Sequence, residues 1–192
     1  MNHQNFSPRP ALLLIDLQQG FNDETHWGGN RNNPDAEQIC LKLLTHWRTH
    51  NLPIFHIRHH STEADSPLNP KHAGFAFIPA TAPMANECVI DKTVNSAFIG
   101  TDLQSLLNHA GIDTLVLVGL TTNHCVSTTA RMAGNLGFTT FVVSDGTATF
   151  DRIGVNGERF DSQLVHDISL ASLHGEFATV STSDEILAMI GD

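Results

Sequence analysis

Three residues of this 192-residue chain, Asp16, Lys92 and Cys125, have the types and the sequence settings that hydrolytic chemistry needs. Cys125 closes the stretch TLVLVGLTTNHCV (114–126), in which an apolar β-branched run ends at a glycine and a short polar turn. Small, helix-compatible residues follow. The pattern predicts strand, tight turn and helix, with the thiol at or near the first helical turn. Unpaired N–H groups and the helix dipole favour negative charge there, so the thiol should be shifted toward thiolate. An oxyanion forming beside it would meet waiting N–H donors. A thiolate attacks a carbonyl or amide carbon, and some group must take the thiol proton and return it to the leaving group. Asp16, near the end of ALLLIDLQ (11–18), is the candidate base. Its reference pKa of about 3.9 would have to rise in a poorly solvated site. Lys92, in CVIDKTV (88–94), would hold both anions in place and favour thiolate over thiol.

Other residues of reactive type are read differently. His124 adjoins the cysteine and is a rival base, but neighbours on a turn point apart, so a place in the pocket wall suits it better. His56, His59 and His60 cluster in HIRHH, with His72 downstream. Histidine-rich loops can hold zinc or iron. This one contains no carboxylate, and Arg58 stands in its middle, which is unfavourable beside a metal ion. No metal and no cofactor are expected. Cys40 falls on a helical apolar face and Cys88 starts a strand, so both read as packing residues. Three cysteines suit neither a disulfide framework nor a zinc cluster.

The elements that must position the three residues come in alternation. Buried strands are predicted at 11–18, 53–58, 88–94, 114–120, 139–145 and 177–182. Helices are predicted from the Asn33-Pro34 cap to about Asn51, from Thr101 to Gly111, from about Cys125 to Gly137, over 162–173, and from Ser183 to Ile190. Leu103, Leu106 and Leu107 should line one helix face, and Leu164, Ile168 and either Leu170 or Ala171 another. Strands alternating with helices imply right-handed βαβ units, a mainly parallel sheet and a three-layer α/β/α sandwich. In such sheets reactive groups gather at the carboxyl ends of the strands, where Asp16, Lys92 and Cys125 all fall. Loops are expected at 22–33, 59–87 and 146–157. The long proline-rich segment 59–87 reads as a lid or site wall. Phe21, Trp27, Phe75, Phe77, His124 and Phe150 are candidate walls of a substrate pocket, and Gln18 a candidate brace for the Asp16 turn.

The formal net charge of −10 argues against a nucleic-acid partner. The opening residues MNHQNFSPRP lack the basic-then-apolar pattern of a signal peptide, and no apolar run approaches the roughly 20 residues that span a bilayer. A cytoplasmic, single-domain protein over 1–192 acting on a small molecule is expected.

Three blocks carry a resemblance: LLLIDLQQGF, VIDKTVNSAFIGTDL and VLVGLTTNHCVSTTARMAGNLGF. In this order they resemble the isochorismatase-like cysteine hydrolases, a family that includes nicotinamidases, N-carbamoylsarcosine amidase, ureidoacrylate and maleamate amidohydrolases and streptothricin hydrolase. The resemblance implies a Cys125-Asp16-Lys92 triad and a six-stranded parallel sheet of Rossmann-like order 3-2-1-4-5-6. It implies a cis peptide at Leu120–Thr121, an oxyanion hole made by the backbone N–H groups of Thr121 and Cys125, and a homo-oligomer, dimer or tetramer. Nicotinamidases bind metal through an Asp-x-His pair where this chain reads Arg58-His59-His60, so the aspartate is missing. Three functions remain open. The first is hydrolysis of the C–N bond of a small amide, ureido or lactam compound through a thioester acyl-enzyme. The second is isochorismatase-type vinyl-ether hydrolysis with Asp16 as acid. The third is a metabolite-binding module on the same scaffold.

Overall fold

Five consecutive apolar residues, Ala11–Ile15, form the first strand, β1, and all five are buried. Side chains alternate across a strand, so such a run serves two cores at once. In the computed structural model, which describes residues 7–190, Ala11, Leu13 and Ile15 enter one core and Leu12 and Leu14 the other. The first six residues of the segment read above for a signal peptide lie outside the described residues.

The strands that follow are β2 (Ile54–His59), β3 (Cys88–Lys92), β4 (Thr114–Leu120) and β5 (Thr139–Ala148). Next come a short antiparallel hairpin of β6 (Arg152–Ile153) and β7 (Arg159–Phe160), and then β8 (Thr179–Ser181). Six of these strands build one sheet in the order β3-β2-β1-β4-β5-β8, every pair parallel. Counted along the chain without the hairpin, that is the 3-2-1-4-5-6 order implied by the resemblance.

Helices cover both faces. A single turn, α1 (Glu24–Trp27), lies in the loop after β1. Helix α2 (Ala36–Thr49) packs Cys40, Leu43, Leu44 and Trp47 against the even-numbered residues of β1. The opposite face carries α3 (Leu103–His109), α4 (Ser127–Asn135) and α5 (Ser162–Ala171) through Leu103, Leu107, Ala130, Ala133 and Leu170. The last helix, α6 (Ser183–Ile190), returns to the α2 face through Ile186. Each fully buried leucine here contributes about 2 kcal/mol of transfer free energy.

Two expectations about inward faces are overturned. Helix α5 turns Ser162, His166 and Leu170 inward, four residues apart, and leaves Leu164 and Ile168 exposed to water. Its inner face packs against polar loops as well as the sheet, so two of its three buried positions are polar. Leu106 on α3 is likewise exposed, because the narrower stripe of Leu103 and Leu107 fills the contact. Beyond Asp145, where the strand was expected to end, β5 continues to Ala148, and the hairpin replaces part of the expected loop.

The segment 59–87 holds only two 3₁₀ turns but is tied down along its length. Gln19 N donates to Ala76 O and Ile78 N to Leu17 O, both at 2.9 Å. Gly74 lies so close to Gly20 that a Cβ would approach its Cα to 2.7 Å. At the far end, Glu87 accepts from Arg48 Nε at 2.7 Å, Arg48 Nη2 at 2.9 Å and Met84 N at 2.9 Å, and it pairs with His56 Nε2 at 2.8 Å. Burial works against ionising Glu87, but Arg48 and the Met84 N–H outweigh it and hold the carboxyl at about 2, well below its ordinary 4.5.

That shift makes this corner of the fold acid-sensitive. A carboxyl with a depressed folded-state pKa stabilises fully above its unfolded value and loses the contribution as pH falls toward the folded one. Urea unfolding of the wild type should therefore show stability falling from about pH 4.5 toward pH 2. Glu87→Gln should start less stable at pH 7 and show a shallower acid decline. An identical decline in both proteins would contradict the assignment.

Candidate active site

The site is assembled by three strand ends. At the end of β1, Asp16 adopts a left-handed conformation (φ 52°), which aspartate tolerates better than most residues. Its N–H still bonds to Ile57 O at 2.9 Å, so the turn stays locked to β2. At the end of β3, Lys92 is the register partner of His59 on β2. At the end of β4, Gly119 (φ 115°) lets the backbone press against β1; a Cβ there would lie 2.0 Å from Ile15 O. The Leu120–Thr121 peptide that follows is cis. Thr122–Val126 then form one π-helical turn before α4 begins. Cys125 thus sits in that turn, just ahead of α4 and near its first turn, as the sequence pattern suggested. The turn is braced from behind by Thr122 Oγ1 and His166 Nδ1 at 2.9 Å, and by Thr149 Oγ1 donating to Asn123 Oδ1 at 2.6 Å.

Lys92 joins the pieces. Its ammonium donates to Asp16 Oδ2 at 2.8 Å and to Cys125 Sγ at 3.3 Å, and it lies 3.0 Å from His59 Nδ1. An ammonium has three protons, and these three acceptors take all of them. His59 Nδ1 must then be the acceptor, which places that ring's proton on Nε2. Asp16 and Lys92 have no exposed side-chain surface. Burial alone would lower the Lys92 pKa, but Asp16 and Cys125 beside it hold it above its ordinary value. Burial and the neighbouring Lys92 charge push His59 down, which favours the neutral ring. Asp16 Oδ1 is buried without a hydrogen-bond partner, an acceptor left open next to the thiol.

Cys125 itself departs from expectation. Its thiol is pushed upward, first by burial and then by Asp16, with Lys92 pulling only partly the other way. That direction opposes the shift toward thiolate that a helix start would favour. Asp16, His59 and Cys125 bring ligand-type atoms within 4.8 Å of one another. Lys92 already places a positive charge among them, so this donor set does not suit a divalent cation.

Cys125 opens onto a cleft of about 590 Å³. The wall comes from all three long loops: His26 and Trp27 from the first, Ser61, Glu63, Asp65, Ser66 and Leu68 from the second, and Arg152 from the third. Phe21, His59, Asn95, Thr121 and His124 complete it. Of the aromatic residues proposed as pocket walls, Phe21 and Trp27 reach the cleft. Phe150 does not; it is fully buried in a second row, its ring 6.3 Å from Phe21 and 6.5 Å from Trp27. Phe75 and Phe77 also stay outside, because the Arg58 guanidinium draws both rings to it, at 4.2 and 5.1 Å. Gln18 bridges His59 and Phe75 through Nε2 to both carbonyls, at 3.1 and 3.0 Å, so it braces β2 against the long loop and not the Asp16 turn alone.

The histidines disperse. His56 pairs with Glu87, His59 meets Lys92, His60 packs its ring near Phe75, and His72 reaches Ala64 O. Strand alternation causes this, since residues 56 and 58 face one way and 57 and 59 the other. Asn95, with Oδ1 3.7 Å from Cys125 Sγ, and Arg152 were missed from sequence. Asn95 lies on an irregular segment and Arg152 on a two-residue strand, and tertiary packing sets the place of both.

The sequence and the fold are shared with known proteins. An isochorismatase domain model matches residues 10–185. The chain is 46% identical to the uncharacterized isochorismatase family protein YrdC of Bacillus subtilis, over 93% of this chain and 95% of that one. It is 32% identical to maleamate amidohydrolase of Pseudomonas putida, over 96% of this chain and 88% of that one. An isochorismatase-family crystal structure from Chromobacterium violaceum superposes with a TM-score of 0.92 at 48% identity, covering 96% of this chain and 95% of the other. The chain belongs to the isochorismatase family of hydrolases. That membership sets aside the reading as a non-catalytic binding module. Among the described residues no helix is long and apolar enough to cross a membrane.

The contact between β1 and β4 leaves no room at Gly119. Gly119→Ala should cost more than about 3 kcal/mol in chemical denaturation, since it adds both a clash with backbone and an unfavourable positive φ. A loss below about 1 kcal/mol would show that the two strands separate easily there.

Proposed function

We propose that this protein is a cysteine-dependent hydrolase of the C–N bond of a small amide, ureido or lactam compound, with Asp16, Lys92 and Cys125 as its catalytic residues. The observation that carries the reading is the Lys92 ammonium, hydrogen-bonded at once to a buried carboxylate and to the thiol facing the cleft. Maleamate amidohydrolase among the relatives supports the amide assignment.

In this reading the Cys125 thiol gives its proton to Asp16, whose Oδ1 is free to accept it. The sulfur attacks the carbonyl carbon, and the backbone N–H groups of Thr121 and Cys125 stabilise the oxyanion, each donor being worth about 3–4 kcal/mol. Collapse breaks the C–N bond, the amine leaves with the proton from Asp16, and a thioester remains on Cys125. Water, deprotonated by Asp16, attacks the thioester; the acid departs and the thiol is restored. Lys92 holds the Asp16 carboxyl group in place beside Cys125 while it takes up and returns the proton in both halves. Neutral His59, its Nε2–H turned away from Lys92, can donate to a substrate acceptor. Vinyl-ether hydrolysis by Asp16 acting as acid leaves the placement of Cys125 against Lys92 without a role. A cytoplasmic, single-domain homo-oligomer completes the reading; exposed Ile153, Val155, Leu164 and Ile168 offer apolar surface for a second copy.

Cys125→Ser, assayed against a panel of primary amides, ureido compounds and lactams, should lose at least about a thousandfold in kcat/KM, in line with the loss of an activated nucleophile. Asp16→Asn should lose a comparable factor. Undiminished turnover by the Cys125 variant, or isochorismate hydrolysis that survives it, would refute the thiol mechanism.

A further inference from the structure

We propose that Arg152 makes this cleft selective for substrates that carry a free carboxylate, as monoanions with an apolar body between the carboxylate and the scissile amide. The inference rests on the reading of Cys125 as nucleophile and goes beyond it by naming the substrate class.

Arg152 opens the β6–β7 hairpin and lines the cleft together with His124 and Cys125. Its place is fixed by backbone acceptors: Nη1 donates to Trp27 O at 2.6 Å and to Asp151 O at 3.3 Å. Its Nε is buried and has no hydrogen-bond partner. The other cleft-side cation, Lys92, is committed to Asp16, and Arg31, Arg48, Arg58 and Arg159 each sit on a carboxylate. Among the described residues no carboxylate pairs with Arg152. A half-buried guanidinium with its charge unmatched and a donor unused is costly, and a bound carboxylate supplies both the charge and the planar acceptor that suit it. Desolvation lowers the Arg152 pKa, and burial first and then the Arg152 charge lower that of His124.

The rest of the wall decides the remainder of the ligand. Phe21, Trp27 and Leu68 provide an apolar surface for the body of the substrate. Glu63 and Asp65, exposed along the same cleft, weaken binding of a second anionic group. The cleft therefore suits one negative charge, placed at Arg152.

The test uses probes that need no knowledge of the true substrate. The wild-type protein and Arg152→Gln are alkylated in parallel with 4-(bromomethyl)benzoate and with 4-(bromomethyl)benzamide, and modification of the Cys125 peptide is followed by mass spectrometry. The ratio of the two rates cancels any change in the thiolate fraction. It should fall about tenfold in Arg152→Gln, as expected for loss of a charge-assisted contact, and stay near the wild-type value in Arg152→Lys. Independently, calorimetry on the wild type should show 3-phenylpropionate binding more tightly than 3-phenylpropionamide, a comparison that needs no variant to fold. An unchanged rate ratio, or a carboxylate that binds no better than its amide, overturns the proposal. Amide hydrolysis that survives Cys125→Ser overturns the nucleophile assignment instead, and calorimetry alone then decides the anion site.

Discussion

A charged lysine with no water around it is unfavourable unless its surroundings answer every proton. Lys92 meets that condition with three acceptors from three different parts of the chain: Asp16 after β1, His59 at the end of β2, and Cys125 after β4. Removing one partner from such a buried pair typically costs about 3–5 kcal/mol, because the remaining charge stays desolvated. The strand ends are therefore coupled. The sheet order that places β1 between β2 and β4 is what allows one ammonium to reach all three.

The same burial that makes Lys92 demanding pushes the Cys125 thiol toward its protonated form. Reactivity in this arrangement is conditional. In the proposed reaction the thiol loses its proton as the carboxylate beside it takes one, and the ammonium stays in contact with both partners throughout. A nucleophile held in this way gains charge where a carbonyl and the backbone donors of the turn can share it. An exposed, permanently ionised cysteine would be open to oxidation and to unselective alkylation. His59 fits the same logic: its neutral ring accepts from Lys92 on one edge and has a donor to spare on the other.

Much of this was legible in the sequence, for physical reasons. Runs such as ALLLI and TLVLVGL must be buried on both faces, and the residues that end them, Asp16 and the turn after Gly119, fall where a parallel sheet opens. What failed depended on contacts between distant segments. Phe75 and Phe77 are apolar and sit in a loop near the site, but the guanidinium of Arg58 decides where they pack. Leu164 and Ile168 follow helical spacing, yet the helix turns Ser162 and His166 inward because its neighbours there are polar loops. HIRHH looks like a metal cluster as a string of letters, whereas strand alternation sends its histidines to opposite faces. The thiolate expected from a helix start gave way to the larger effect of burial beside a carboxylate.

The shared ammonium can be observed directly. The chain contains three lysines, Lys42, Lys71 and Lys92, so ¹⁵N-lysine labelling gives a side-chain spectrum simple enough to assign by substitution. In a pH titration the Lys92 Nζ signal should remain that of an ammonium above the ordinary lysine value of 10.5, and the Asp16→Asn protein should lose that elevation. A Lys92 signal that titrates below 10.5 in the wild type, or one indifferent to Asp16→Asn, would contradict the arrangement on which the site depends.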